Sequence, residues 1–273
     1  MRYLVFIFLL SSFSLVFSQN YTNYYNLANK AEYELFNGSI NVAEKIFSKL
    51  DKKNGLTAKD NFYLGYIKSK KGDTLNAYKC FVNSILKYGS AVEWIGKYQN
   101  GSKGSFKVPS YQLYKLKRIQ DSMYAKKDFK LQAKLNYFDS IDQLNRSYEN
   151  DYIDIKGDSV LQVELLAFMK KNGIPNVYLY GDMFHTTFLH VYNDYLFKEY
   201  EKFLYEEVKK GNLDPYYYCS MVDRYLYSYN KNETKFESYR QVCKDEKCKA
   251  KVEKNRKKIG LSTFHKGPNL WPI

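Results

Sequence analysis

Many of the signatures that announce a function are missing from this chain. It has no glycine-rich phosphate loop, no Gly-x-Ser-x-Gly elbow and no cysteine–histidine signature, so the common nucleotide-binding and nucleophile patterns are excluded. No second pair of cysteine or histidine stands at matching spacing to Cys243 and Cys248, so these two do not form half of a zinc site. Histidine is scarce, with 3 residues in the chain. His185 and His190 stand five apart, which on a helix leaves them about 140° apart. A zinc helix needs its pair at three or four, and no third ligand is evident. No metal and no cofactor is therefore expected. Beyond the first 18 residues no stretch is long and apolar enough to span a bilayer, so no stable membrane insertion of the mature chain is expected.

A basic excess is present, but it is not concentrated. The formal net charge is +14, and lysine is spread along the whole length. Only Lys244 to Lys258 is dense, and Asp245, Glu246 and Glu253 interrupt it. With no recognisable nucleic-acid module, no nucleic-acid partner is expected. The hydrophobic fraction of 45% is enough for a real core, in one large or two modest domains. Tyrosine is abundant at 29 copies. Its ring favours burial while its hydroxyl seeks a partner, so many tyrosines should sit half-buried between helices.

The first 18 residues read as a cleavable export signal. Arg2 supplies a positive start, Tyr3 to Leu10 is apolar, and the run continues to Phe17 with only serines interrupting. Val16 and Ser18 stand three and one before a cut ahead of Gln19. A membrane anchor is the competing reading. The apolar run falls short of the ~20 residues a spanning helix needs, and no basic stop-transfer flank follows. The expectation is a periplasmic or secreted protein. Four cysteines in that setting permit disulfides. Cys80, beside Phe81, reads as core, and so does Cys219. Cys243 and Cys248 are separated by a turn-like Lys-Asp-Glu-Lys run; a local disulfide closing a small β-hairpin near 239–250 is expected.

A 34-residue repeat follows the signal. Ala31, Gly38, Ala43 and Phe47 recur as Gly65, Gly72, Ala77 and Phe81, each offset by 34. Every unit reads as helix, turn, helix, with small residues where the helices approach and phenylalanine filling the groove. With Leu64-Gly65 and the Gly72-Asp73 turn, the pattern resembles the tetratricopeptide repeat. The resemblance implies antiparallel helix pairs offering a concave surface to another envelope protein or peptide. Two repeats fall short of the ~three usually needed, so they are expected to dock on later helices. Ordinary helical bundles share the periodicity and remain the alternative.

Residues 98–110 read as a linker rich in glycine and serine, ended by Pro109. Helical periodicity then runs from Tyr111 to about Tyr148. Asp151 to Asp158 reads as a loop and Val160 to Lys171 as a helix ended by Gly173 and Pro175. Val177 to Tyr180 reads as a short extended piece. Phe184 to Lys209 reads as one long helix ended by Gly211; Asp214-Pro215 opens another, reaching about Tyr229. Lys251 to Lys258 is helical, and the tail 266–273 is irregular. The expected fold is all-α: a signal at 1–18, repeats at 19–97, a linker, a helical domain at 111–265, and the tail.

Within that second domain several short motifs stand in order. Asp142-Gln143 with Arg146 makes D-Q-x-x-R; Gly173-Ile174-Pro175 and Gly181 follow; then come His190-Val191, Asp223-Arg224, and Arg256 with Gly260-Leu261. Their order resembles an uncharacterised bacterial domain family of unknown function, in which the third motif is H-A and Trp stands where Ile174 does. The family's Y-G-T-Q is represented here only by Tyr239-Arg240-Gln241. The resemblance implies a location and no reaction. On helices, Gln143 and Arg146 share a face, as do His190 and Asp194. Asp142, Gln143, Arg146, His190, Asp223 and Arg224 are thus the candidate polar pocket. An imidazole beside a carboxylate can act as a general base, and an arginine can hold a carboxylate or phosphate. The same contacts between helices also serve simply to satisfy buried polar groups. Two functions stay open: a protein- or ligand-binding module, or a hydrolase-like or transferase-like enzyme using the His/Asp/Arg cluster.

Overall fold

The computed structural model describes residues 21–88, 92, 108–147, 152–153, 155–181, 183–229, 233–238 and 243–261. The export segment, residues 98–107 of the linker, Tyr239 to Gln241 and the tail lie outside the described residues. The fold is all-α, with one two-stranded ladder among the described residues.

Four helices come first: α1 (Tyr21–Phe36), α2 (Ile40–Asn54), α3 (Ala58–Lys70) and α4 (Thr74–Tyr88). α1 packs on α2 and α3 on α4. α1 buries Tyr24, Tyr25, Ala28, Ala31 and Leu35, the three-and-four spacing of an amphipathic helix. α3 is the central member and buries residues around its whole circumference from Asn61 to Gly65. Phe47, Phe81, Ala43 and Ala77 are all buried. A Cβ built on Gly65 would lie 2.7 Å from the Phe81 ring, so the absence of a side chain there lets the ring lie directly against the α3 backbone.

The chain continues through α5 (Ser110–Tyr124), which packs on α4, and α6 (Phe129–Leu144). Helical periodicity spans residues 111–148 without fixing the number of helices. The structure has two, because Asp128 caps α6 by accepting from the backbone N–H groups of Lys130 and Leu131. α6 ends at Leu144, and Arg146–Ser147 (β1) pairs antiparallel with Tyr152–Ile153 (β2). α7 runs Ile155–Asn172, starting earlier than its apolar pattern indicated. Residues 177–180 are not extended: they form a helical turn, α8, in which Leu179 and Tyr180 donate to the Asn176 carbonyl.

The long helix expected over 184–209 is likewise interrupted. α9 (Met183–Phe188) stops, and α10 (Asp194–Lys210) starts afresh because the Asn193 side chain caps it, accepting from the N–H groups of Tyr195 and Leu196. α11 spans Pro215–Tyr229 and α12 spans Glu246–Ile259. No hairpin forms over residues 243–250: Asp245 caps α12, accepting from the Cys248 N–H, and the helix begins there.

The first and last described helices meet. α1 packs against α10 and α12, Tyr25 donates to the Leu213 carbonyl, Asn26 to that of Lys257 and Asn29 to that of Gly260. Gly211 and Gly260 end α10 and α12 with φ of 81° and 79°, and a Cβ on either would lie 2.6 or 2.5 Å from Tyr21 or Tyr25. Glycine is required twice at each, for the left-handed turn and for the approach of α1. One apolar core runs from Tyr24 to Leu261. Among the described residues no helix is long and apolar enough to cross a membrane.

Candidate functional site

Asp142 sits on the same face of α6 as Leu135 and Phe138, and all three are buried. The apolar stripe therefore carries a carboxylate into the core. His190 reaches it from the turn after α9 rather than from a helix; its N–H donates to the Thr187 carbonyl. The imidazole Nδ1 lies 2.9 and 3.0 Å from the two Asp142 carboxylate oxygens. A carboxylate accepts, so Nδ1 carries the proton and any base chemistry falls to Nε2. Gln143 reaches back to donate its amide to Asp142 at 3.1 Å. One turn earlier, burial and the Asp142 charge push the Asp139 carboxyl above its usual range.

The remaining candidates do different things. Arg146 lies in β1, beyond the end of α6, so the helical spacing that put it on a face with Gln143 does not apply. His190 and Asp194 do not share a helix face either; Asp194 opens α10 and accepts from the Tyr225 hydroxyl. Arg224 is half-buried on α11. Asp223, which is buried, spends both oxygens on one loop. It accepts from the backbone N–H groups of Lys235 (2.7 Å), Phe236 (2.9 Å) and Ser238 (2.7 Å) and from the Ser238 hydroxyl (2.8 Å). Arg256 completes the clamp by donating to the Phe236 carbonyl at 2.6 Å. Burial pulls the Arg256 pKa down, against the opposing pull of Cys219, Glu253 and Asp223.

The cysteines offer no nucleophile among the described residues. Burial, helped by Asp223, pushes the Cys219 thiol well up, and burial pushes that of Cys80 to about 11. A thiolate is the reactive species, so both are inert at neutral pH. Cys243 and Cys248 are disulfide-bonded across the start of α12, with Cα atoms 5.3 Å apart.

Two features escaped the sequence reading. The first is a buried polar network between α1 and α3. The Tyr24 hydroxyl (2.5 Å) and the Thr57 hydroxyl (2.7 Å) donate to one Asp60 oxygen, while Lys59 pairs with Glu32 at 3.2 Å. Burial raises the Asp60 pKa, with Lys59 opposing. The second is a cleft of about 400 Å³ between α10, α11, residues 233–238 and α12. Its walls carry Lys198, Lys202, Lys235 and Lys258, with Tyr205, Tyr218 and Phe236 between them. Another cleft, of about 370 Å³, lies between α6 and the start of α7, beside Ile141, Val160 and Leu161. Asp142, Gln143, His190, Asp223 and Arg224 line neither cleft. Among the described residues no group of three or more His, Cys, Asp or Glu side chains is placed to hold a metal.

Comparison with protein-family models, with curated proteins and with solved structures found no match to this chain.

Proposed function

We propose that this is an exported binding module. Two tetratricopeptide-like helix pairs form its frame, the C-terminal helices are held against that frame, and the ligand site is the cleft between α10, α11 and α12. One observation carries the reading. The Asp142–His190 pair is turned into the core, with Asp142 at 0% and His190 at 7% exposure, whereas the cleft is open and lined by charge. Asp223 and Arg256 then gain a role that suits binding, because they clamp the loop that presents Lys235 and Phe236. α1 is packed against α10 and α12, so an envelope protein or peptide partner is better served by the open cleft than by this helix of the repeats.

The enzyme reading keeps one supporting observation, the imidazole–carboxylate contact. His190→Ala separates the two. If the pair is structural, the variant loses about 1–3 kcal/mol through the unpaired buried carboxylate and retains ligand binding. A fully stable variant that loses binding or activity would favour the enzyme. Affinity capture from the native envelope, comparing the wild type with a cleft variant, tests the binding role itself: the captured molecule must disappear with the cleft. Export is tested by N-terminal sequencing of protein from its native host, which should begin at or near Gln19; an intact Met1 on the mature protein refutes it.

A further inference from the structure

We propose that the α10–α12 cleft binds a small phosphate monoester carried on a flat, ring-like body, an assignment that rests on the cleft being the ligand site.

The charge comes from three elements that converge. α10 presents Lys198, Glu201, Lys202 and Tyr205 at positions i, i+3, i+4 and i+7, hence on one face. α12 adds Lys258, and the clamped loop adds Lys235. The lone carboxylate among the lining residues, Glu201, is already paired with Lys235 at 3.1 Å and accepts from the Tyr218 hydroxyl at 3.4 Å. Lys198, Lys202 and Lys258 form no ion pair with any of the described residues. Three cations around an aperture repel one another, and an anion relieves the repulsion.

The donor type narrows the anion. Among the described residues no arginine lines the cleft. Guanidinium matches a planar carboxylate through a fixed fork, whereas lysine ammonium is a compact charge with rotatable donors. Several such charges suit a tetrahedral group of about −1.5 to −2 charge, as a phosphate monoester carries near pH 7. The apolar part of the ligand follows from the walls. Tyr205, Tyr218 and Phe236 form a chain of ring contacts at 5.7 and 5.9 Å, and Tyr205 is 39% exposed. Ile259 closes the floor. A flat ring has aromatic surface to lie against there, and the volume falls in the range of about 300–1,000 Å³ typical of small-molecule sites.

The wall is also held in shape without a ligand. Asp223 fixes the backbone of 235–238, Asn255 donates to the Lys235 carbonyl at 3.1 Å, and Arg256 holds Phe236. A pre-formed loop avoids the ordering cost that would otherwise weaken binding.

The test is titration of the purified protein with phenyl phosphate, inorganic phosphate and phenol, followed by calorimetry and by amide resonances of α10, α12 and residues 233–238. Phenyl phosphate should bind more tightly than either of the others, and more weakly as salt rises. Replacing Lys198, Lys202 and Lys258 together by glutamine should weaken it about 10- to 100-fold, at about 2- to 5-fold for each charge, with an unchanged thermal melt. Tyr205→Ala should erase its advantage over inorganic phosphate. If phenol binds as well as phenyl phosphate, the anion assignment is wrong and the cleft remains the site. If the triple variant binds phenyl phosphate like the wild type, the assignment is also wrong. If no probe moves the cleft resonances, both the assignment and the cleft reading are overturned.

Discussion

Replacing Gly65 by alanine sets two measurable effects against each other. Gly65 lies inside α3 with ordinary helical geometry, so helix propensity alone favours alanine by about 0.8–1.0 kcal/mol. Against this, the new methyl would lie 2.7, 2.9 and 3.1 Å from three atoms of the Phe81 ring. Phe81 is fully buried and has no open space to retreat into, since its ring also contacts Phe62 at 6.0 Å between centroids. Overpacking a closed core costs about 1–3 kcal/mol. The steric term should win, leaving Gly65→Ala less stable by up to about 2 kcal/mol in chemical denaturation. Phe81→Leu should relieve the clash, so the double variant should be more stable than the two single losses add up to, with a coupling of about 0.5–3 kcal/mol. If Gly65→Ala is as stable as the wild type or more so, or if the cycle is additive, the close approach of the Phe81 ring to α3 is not present in solution.

Asp223→Ala should leave the N–H groups of residues 235–238 without their acceptor and destabilise the protein by at least about 1–3 kcal/mol, with loss of the probe response at the cleft; unchanged hydrogen-exchange protection in that loop would contradict its role as a clamp. Asp60 has a raised folded pKa, so its favourable contribution is complete below its unfolded value of about 3.9 and is lost as pH rises through the folded value. The stability of wild type relative to Asp60→Asn should therefore fall as pH rises above about 4 in paired denaturation curves, and a constant difference refutes the shift. The Cys243–Cys248 disulfide closes only a short loop, so reducing it should cost less than the ~3 kcal/mol of a 15-residue one; a larger loss of unfolding free energy in chemical denaturation would mean that the bond holds more than the start of α12.

Local and periodic features were legible in the sequence. The all-α class followed from apolar spacing, and the breaks at Gly211 and Gly260 from glycine after a helical run. Asp142 was legible as a site of interest because it opens the D-Q-x-x-R motif. The interruptions at Asp128 and Asn193 were harder to see, because a side-chain cap and a continuing helix give the same apolar pattern over a few turns. That is why His190 and Arg146 were assigned to helices that stop short of them. What only the tertiary structure decided is which polar groups meet. Asp223 and Arg256 are 33 residues apart in sequence yet clamp one loop. The lysines of α10 and α12 line one cleft only because α1 holds both helices against itself. Sequence spacing sets the direction of a side chain along its own helix, but the choice of neighbour belongs to the packing of one helix on another, and the cleft exists only in that choice.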